Sequence, residues 1–383
     1  IYTNNGSISH LTAVFVGSGK FVMMCNDANV NGGISLVGTV SGTSITVGST
    51  AQFGDNSNDV ERISLVYDSN AGVVVAFWQQ VPSPYTGYAA VGTISGTSIS
   101  YGTPVTVSTQ RPWFYPSSCC FDSTSNKIIA AYVTFSSGED LKVRVGTVSG
   151  TSISFGTEVN ADTGTIEFIA SAYDPDNNKT GIFYRDSTAS SGMQAIAGTV
   201  SGTDISFGTS QAITTEDTRN IAAVYDTNAN MFVVQALRIS VNYSEVYSIS
   251  LSSTTFTLES TKQLTSASDN GFTKNAYDST NNKVILITQD GRNGGYGTAN
   301  VFTTGFSSTN LTSENYIGIS DAAYSDGNTA TIQIVGSVDD AQSSLTAGQT
   351  YYINFDGSLV LSPIDPSVVA GTAISATKII VKG

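Results

Sequence analysis

A repeat of about 52 residues constrains the fold of this chain more than any other feature of its sequence. One motif, Val-Gly-Thr-Val-Ser-Gly-Thr-Ser-Ile, occurs six times, the last two in degenerate form, beginning at Val37, Val91, Val145, Ala197, Ser248 and Thr303. A second motif places an aromatic residue before an aspartate in most copies, and this aromatic recurs at 15, 67, 121, 173, 225 and 277. The spacings between these positions are 52, 54, 52, 52 and 52 residues, so the chain contains six copies of one unit.

Each unit contains four short segments in which apolar and polar residues alternate, which is the pattern of a β-strand. In the second unit these segments are Arg62–Tyr67, Gly72–Gln79, Tyr88–Ile94 and Ser98–Val107. No segment shows a helical period. Four strands in each of six units predict an all-β fold, a six-bladed β-propeller with four-stranded blades over residues 1–316. A solenoid of stacked strands is the structural alternative. Residues 1–7 could add an edge strand to the ring, or the ring could close by packing alone.

The repeat ends near Tyr316, and β-alternating segments with glycine turns follow, among them Leu345–Ile353 and Val368–Gly383. We therefore expect a small C-terminal β-module over residues 317–383. A segment of this length is marginal for a hydrophobic core of its own, so we expect it to dock on the propeller or on another copy of itself.

Charged residues and metal ligands are scarce in this chain. Only 12% of the 383 residues are charged, and His10 is the single histidine. Any Ser-His-Asp or Cys-His mechanism would have to use His10, and a histidine-rich metal site is excluded. The net charge of −14 argues against a nucleic-acid partner. No apolar run approaches the ~18 residues of a membrane span. We expect no cofactor, no metal and no membrane insertion.

Two residue types are expected to serve the fold alone. Cys119 and Cys120 are poor partners for a disulfide, because neighbours in a strand point to opposite faces. We therefore expect all three cysteines, these two and Cys25, to be small buried apolar side chains. The aspartate of the aromatic-Asp motif is expected to accept backbone N–H groups in a turn. A calcium loop at 174–178 is the alternative, but that segment lacks the later glutamate of such loops.

The repeat, clearest at 145–157, resembles the β-propeller regions of tail-fibre and virion-surface proteins of tailed phages, particularly aquatic ones. The segments 347–352 and 370–378 resemble the C-terminal β-module that closes many such proteins. The resemblance implies a non-enzymatic protein at a virion surface or in the extracellular space, which recognises a glycan, polymer or receptor on a host cell. It also implies contacts with other virion subunits and a homo-oligomer, most often a trimer. It implies no catalytic residue.

Recognition is expected on one face of the propeller, where the second-to-third strand turns and the connections between blades vary in length and chemistry. Six of the seven arginines lie in or beside these connections, and arginine binds carboxylate or sulfate through two hydrogen bonds. The candidate ligand-binding residues are Trp78, Tyr85, Tyr88, Arg111, Trp113, Tyr115, Arg185, Arg238, Tyr243 and Arg292. In the alternative interpretation, the aromatic rings pack the loops and each arginine pairs with a nearby acid such as Asp186 or Glu245.

Two other functions fit the sequence. The first is a structural decoration or connector protein of a virion. The second is a glycosidase of the sialidase kind, which would need three clustered arginines, a Tyr–Glu nucleophile pair and an acid. The repeats contain no Ser-x-Asp-x-Gly-x-Thr-Trp turn of the sort that such enzymes typically carry. Because acids are sparse and only one histidine is present, we expect the chain to be non-enzymatic.

Overall fold

The structure is a computed structural model that describes residues 8–30, 32–54, 59–135, 138–189, 191–264, 269–290, 296–304, 316–324, 328–353, 358–361 and 368–382. These residues form strands, turns and irregular segments and contain no helix, which confirms the all-β prediction. No helical segment with the length and hydropathy to cross a lipid bilayer occurs in this part of the chain. The chain divides into two compact units, Ile1–Thr304 and Gly305–Gly383. The predicted boundary after Tyr316 stays a prediction.

The first unit is built from successive antiparallel sheets, each formed by one copy of the repeat. Sheet 1 contains β1 (Ile8–Gly17), β2 (Lys20–Asp27), β3 (Gly33–Ser41), β4 (Ser44–Val47) and β5 (Ala51–Phe53). Sheet 2 contains β6 (Asp59–Asp68), β7 (Val73–Val81), β8 (Gly87–Ser95), β9 (Ser98–Tyr101) and β10 (Val105–Ser108). Sheet 3 contains β11 (Pro112–Trp113), β12 (Cys119–Asp122), β13 (Lys127–Thr134), β14 (Leu141–Ser149), β15 (Ser152–Phe155) and β16 (Val159–Asp162).

The later copies repeat this plan with fewer outer strands. Sheet 4 contains β17 (Ile166–Asp174), β18 (Lys179–Asp186), β19 (Met193–Ser201), β20 (Asp204–Phe207) and β21 (Gln211–Ala212). Sheet 5 contains β22 (Thr218–Asp226), β23 (Met231–Arg238), β24 (Tyr243–Ser252) and β25 (Thr255–Gln263). Sheet 6 contains β26 (Asp269–Asp278), β27 (Lys283–Asp290) and β28 (Tyr296–Phe302).

The sheets are packed face to face in chain order. Their first strands, β1, β6, β12, β17, β22 and β26, contact one another in that sequence. A cluster of buried apolar side chains fills each of the five spaces between successive sheets, and Phe77, Phe183 and Phe232 are completely buried in them. In sheets 2 to 5, alternating side chains on both faces of the strands therefore serve two neighbouring cores, which leaves few positions in these sheets for charged residues.

The fourth predicted strand of the repeat is split in two, as in β9 and β10, which both pair with β8. The break falls at a glycine inside this segment, such as Gly102 between β9 and β10. A Cβ atom on Gly48, Gly102 or Gly156 would lie 1.8, 1.9 or 2.0 Å from the carbonyl oxygen of a threonine in the Ser-Gly-Thr turn of the next sheet. The strand is interrupted because only a residue without a side chain lets the two backbones approach so closely.

The aspartates of the aromatic-Asp motif form the predicted turns. In sheet 5, the Oδ1 atom of Asp226 accepts hydrogen bonds from the backbone N–H groups of Asn228 (2.9 Å) and Ala229 (3.1 Å). Asp68, Asp122, Asp174 and Asp278 make the same pair of bonds. No group of three or more acids, histidines or cysteines able to hold a metal ion occurs among the described residues.

The three cysteines are free and buried, as predicted. Burial raises the pKa of the Cys25 and Cys119 thiols to about 11 and that of Cys120 to about 12. These thiols therefore stay protonated at neutral pH and behave as small apolar groups.

The second unit is also all-β among its described residues. One sheet pairs β29 (Gly318–Ser320) with β30 (Ile332–Ile334). A five-stranded sheet contains β31 (Val338–Asp339), β32 (Thr350–Ile353), β33 (Leu359–Val360), β34 (Val369–Ala373) and β35 (Ile379–Val381). Its core is small, with Leu345, Tyr351, Ala370, Ala373 and Ile379 buried together.

Candidate functional site

The first strand of several sheets is interrupted by a β-bulge at the same position of the repeat. The pairing register shifts at this point in sheets 1, 2, 4 and 5. The residues at the bulges have left-handed backbones, with φ of 52° at His10, 53° at Arg62, 53° at Phe168 and 51° at Asn220. In sheet 3 the same position of the repeat falls at Pro116, between β11 and β12. Bulges re-aim side chains and are common beside functional sites.

These equivalent positions meet at one cavity of about 770 Å³ in the first unit. It is lined by Ile8, Ser9, His10, Leu11, Arg62, Ile63, Phe114, Tyr115, Pro116, Ser117, Phe168, Asn220, Ile221 and Thr273. All six sheets therefore contribute to the wall. The Pro116 carbonyl oxygen accepts hydrogen bonds from Thr12 Oγ1 in sheet 1 (3.4 Å) and from Lys274 Nζ in sheet 6 (2.7 Å), which ties both sheets to sheet 3 across the cavity. We call this space the central cavity.

Arg62 is the arginine that lines the central cavity, and its charge is unpaired among the described residues. Its Cζ atom lies 3.7 Å from the centroid of the Trp113 ring, a cation–π contact that holds the guanidinium in place. Its Nε atom is buried and has no hydrogen-bond partner in the described part of the chain. A buried donor without a partner is costly, so this guanidinium is suited to an anion that supplies acceptors.

A row of stacked side chains continues outward from Arg62. Trp113 packs on Phe135 with 4.1 Å between ring centroids. The Arg111 Cζ atom lies 5.9 Å from the Phe135 centroid and 4.8 Å from the Tyr85 centroid. The structure thus brings together Tyr85, Arg111 and Trp113 from the predicted set, and it joins them to Arg62.

His10 and Tyr115 are the other titratable residues that line the cavity. Burial lowers the pKa of His10; the charge of Glu61 raises this pKa and the charge of Arg62 lowers it further. Burial raises the pKa of Tyr115 to about 12; a hydrogen bond with the Phe168 backbone and the charge of Arg62 lower it, and Glu167 and Glu139 raise it. Tyr115 therefore keeps its proton at neutral pH unless a nearby carboxylate accepts it.

Two predicted arginines pair with acids. Arg185 is buried, bonds to Glu167 and places its Nε atom 2.9 Å from Asp217. Arg238 pairs with Glu216 (2.9 Å) and Glu245 (3.4 Å) and donates to the Tyr243 hydroxyl (3.1 Å). These contacts favour the pairing alternative for Arg185, Arg238 and Tyr243. Glu245, the expected partner, is one of the two acids that pair with Arg238. Arg185 pairs with Glu167 and Asp217 and not with the expected Asp186.

The remaining predicted residues lie elsewhere. Trp78 is only 1% exposed and stacks on Tyr88 with 6.0 Å between centroids. Both residues border a separate cavity of about 340 Å³ with Gly54, Gln80, Pro82, Ser83, Pro84, Thr86 and Pro104. Arg292 lies outside the described residues.

The predicted set omitted His10, Arg62, Phe168 and Asn220. A signal for them exists in the sequence, because each stands five residues before the repeating aromatic. That position holds a different residue in most copies, whereas the aromatic five residues later recurs in every copy. A position that varies within a regular repeat is free of the constraint that shapes the rest of the unit.

No protein-family model and no curated protein matches the chain, so its resemblance to phage virion proteins stays a prediction. Solved structures do match its fold. A leech intramolecular trans-sialidase, in complex with 2,7-anhydro-Neu5Ac, aligns with a TM-score of 0.58 and 9% identity over 78% of this chain and 68% of the other. The intramolecular trans-sialidase of Ruminococcus gnavus aligns at 0.51 and 10% identity over 78% and 94%. A Hadza microbial sialidase aligns at 0.52 and 10% identity over 73% of this chain, which spans 63% of that protein.

These neighbours are β-propellers, and they correct two predictions. The expectation of a non-enzymatic chain is wrong, and so is the main predicted function, recognition of a host surface by the variable-loop face, because the matched propellers are enzymes that act on sialic acids. The sialidase-like alternative agrees better with them. The prediction relied on the resemblance to phage proteins, on the absence of one local turn motif, and on the scarcity of acids and histidine. These are features of local sequence and composition, and at about 10% identity the same backbone can be built from unrelated local sequence.

Proposed function

We propose that this chain is a sialidase-like glycosidase, a six-bladed propeller that binds the glycoside of a carboxylate-bearing sugar in its central cavity. The observation that carries the proposal is Arg62, an unpaired guanidinium among the described residues that is fixed on Trp113 at the wall of that cavity.

The order and packing of the sheets support six blades around the cavity. Six sheets that share an inner core of three antiparallel strands follow one another in the first unit, and each supplies residues to one shared wall. The hydrogen bonds of Thr12 and Lys274 to Pro116 span the cavity from the first and last sheets to the third. In a ring, the starts of all first strands meet at the axis, which is where glycosidases of this architecture hold their ligands.

The cavity offers one charged anchor. A guanidinium binds a carboxylate through two parallel hydrogen bonds, and each such bond to a charged group contributes about 1.5–3 kcal/mol. Two other arginines are paired with acids, Arg185 and Arg238, and Arg144 donates to the Gly156 carbonyl (3.1 Å). Arg111 lies over the Tyr85 ring and does not line the cavity. The proposed site therefore differs from a three-arginine cluster within the described residues.

Tyr115 is the candidate nucleophile, because it is the only tyrosine that lines the central cavity in the described part of the chain. Its Oη atom would attack the anomeric carbon and pass its proton to Glu139 or Glu167, the two carboxylates that act on its pKa. The bond to the leaving oxygen breaks as the new C–O bond forms, and solvent water protonates that oxygen. A second water then attacks the anomeric carbon, the bond to Tyr115 Oη breaks, and Oη takes its proton back from the glutamate. His10, neutral at pH 7 because its pKa is lowered, can hydrogen-bond to the bound sugar.

The test is hydrolysis of the 4-methylumbelliferyl α-glycoside of N-acetylneuraminic acid, followed by fluorescence. Wild-type protein is expected to release the fluorophore, and Tyr115→Phe is expected to abolish release. Arg62→Gln is expected to lower kcat/KM by about 10- to 100-fold, which is the loss of one or more charge-assisted hydrogen bonds.

Arg219→Gln is the matched control, because Arg219 lies one residue before the bulge at Asn220 but is 45% exposed and stands 3.9 Å from Asp217. It should retain wild-type activity. The proposal fails if wild-type protein releases no fluorophore, or if Arg62→Gln and Arg219→Gln have the same activity.

A further inference from the structure

The stacked side chains that continue outward from Arg62 bring a second arginine close to it. Three contacts join the Arg62 and Arg111 Cζ atoms through the rings of Trp113 and Phe135, and they measure 3.7, 4.1 and 5.9 Å. The two guanidinium groups are therefore less than about 14 Å apart. The Tyr85 ring contacts Arg111 and ends the series. We call these five side chains the stacked row.

Neither arginine of the stacked row is neutralised by an acid. No carboxylate lies within ion-pair distance of Arg62 or Arg111 among the described residues, although the chain contains 30 acidic residues. A cation–π contact uses the charge of a guanidinium but none of its N–H donors. Arg111 donates no hydrogen bond in the described part of the chain, and the buried Nε atom of Arg62 has no acceptor there. Both groups can therefore bind an anion.

The stacked row is held in place and open to solvent. The strand β11, which contains Trp113, pairs with β13, and the Phe135 N–H donates to the Gln110 carbonyl (3.2 Å). Tyr85 and Arg111 have left-handed backbones, with φ of 57° and 52°, a costly conformation that is common at ligand clamps. Arg111 is exposed and the three rings are half-buried, so one ligand can lie along the row.

The row belongs to one copy of the repeat alone. Arg111 and Trp113 stand ten and eight residues before the repeating aromatic at 121, and the other five copies have neither an arginine nor an aromatic residue at these two positions. The spacing that ends at 121 is also the only one of 54 residues, where the others are 52. The packing that all copies share does not require these residues, and such local departures from a repeat are typical of binding surfaces.

We propose that the stacked row binds a chain of linked acidic sugars, with one carboxylate at Arg62 in the central cavity and a second carboxylate at Arg111. The proposal deepens the proposed function, because it makes the substrate an acidic oligosaccharide or polysaccharide, and it rests on that function for the sugar held at Arg62. Two fixed guanidinium groups match a ligand that repeats its carboxylate from one sugar to the next.

A single-stranded nucleic acid is the other polyanion to consider, and the observations disfavour it. The Trp113 and Phe135 rings already pack on each other and on the two arginines, so they are not free to stack on nucleobases. The net charge of −14 also opposes the approach of a phosphate backbone.

The test is fluorescence polarisation of the full chain with two labelled probes, the α-thioglycoside of N-acetylneuraminic acid and that of its S-linked α2,8 trimer. Sulfur linkages resist hydrolysis, so binding is measured whether or not the chain is a glycosidase. The trimer offers a second carboxylate to Arg111, and we expect it to bind about 10- to 100-fold more tightly than the single sugar. Arg111→Gln should remove this advantage and leave binding of the single sugar unchanged, whereas Arg62→Gln should weaken binding of both probes.

Arg219→Gln is the matched control, because Arg219 is also exposed but lies outside the stacked row, and it should keep the wild-type preference for the trimer. Equal binding of the two probes by wild-type protein would overturn the proposal, and this result needs no variant. A trimer advantage that persists in Arg111→Gln would overturn the role of Arg111. Tighter binding of a labelled oligothymidylate than of the trimer would assign the row to nucleic acid instead.

Failure of this proposal and failure of the proposed function give different results. A chain that hydrolyses the 4-methylumbelliferyl glycoside but binds both thioglycosides equally is a glycosidase without the second carboxylate site. A chain that prefers the trimer but hydrolyses nothing has the binding row without the glycosidase activity.

Discussion

Replacing Gly156 with alanine is expected to destabilise the first unit by about 3 kcal/mol or more. The new Cβ atom would lie 2.0 Å from the carbonyl oxygen of Thr203 and 3.0 Å from its carbonyl carbon. An ordinary contact of this kind is about 3.4 Å, so sheets 3 and 4 would have to separate by more than 1 Å at their outer edge. Neither partner is a flexible side chain, because both contacts involve backbone atoms.

The magnitude follows from what that separation disturbs. Overpacking a tight contact costs about 1–3 kcal/mol where side chains can adjust, and a backbone collision lies at or above the upper end of this range. The Gly156 N–H also donates to the Val145 carbonyl (2.9 Å), and this bond would weaken as the backbone moves.

Gly150→Ala is the matched control in the same sheet. Gly150 has φ of 59°, and nothing lies within 4 Å of a Cβ built there. Its cost is limited to the left-handed backbone, about 1–2 kcal/mol. Urea unfolding followed by circular dichroism compares the two variants with wild type. If Gly156→Ala is no less stable than Gly150→Ala, the explanation of the split outer strand is wrong.

Three further predictions concern stability. Asp226→Ala removes the acceptor of two backbone N–H groups and is expected to lower the free energy of unfolding in urea by about 1–3 kcal/mol. Asp204→Ala, at the exposed start of β20, should stay within about 0.5 kcal/mol of wild type, and equal effects would contradict the role of the Asx turn. Gln235 is completely buried with neither amide atom bonded among the described residues, so Gln235→Met should raise the Tm, and a lower Tm would show that the amide is satisfied. The pKa of His10 is lowered in the folded chain, so the unfolded chain takes up the proton first as the pH falls. The free energy of unfolding should therefore decrease as the pH is lowered from 6.5, by at most about 1.4 kcal/mol per pH unit. His10→Gln should flatten this slope, and an unchanged slope would assign the pH dependence to other groups.

Much of the fold follows from the period of the sequence. The repeating aromatics stand in the first strands, as at Tyr67 in β6 and Tyr173 in β17, and the Asp-initiated turns follow them. Short-range chemistry decides these features, and a single copy of the repeat displays it. The split of the fourth strand was not predicted, because its cause is a contact between Gly102 and Thr151 of different sheets, 49 residues apart along the chain.

The site was harder to predict for the same physical reason. Tyr115 belongs to the predicted set and lines the central cavity, whereas Arg62, which also lines it, is absent from that set. What distinguishes Arg62 from Arg185 is not local sequence but its surroundings: Trp113 for the first, Glu167 and Asp217 for the second. Such partners become visible only when the strands of different sheets are placed side by side.

The glycine-to-threonine contact between successive sheets has a direction. At Gly48, Gly102 and Gly156 the glycine belongs to the earlier sheet and the threonine carbonyl to the later one. Each copy of the repeat thus has two unlike surfaces and packs head-to-tail on the next copy. The same arrangement between the subunits of an oligomer is called heterologous. Two such units cannot cover each other's contact surfaces, as the two halves of a two-fold dimer do, because one surface of each unit stays open. Duplication of one copy in the gene therefore adds a subunit that already fits both of its neighbours, and the rotation between copies decides how many fit around one axis.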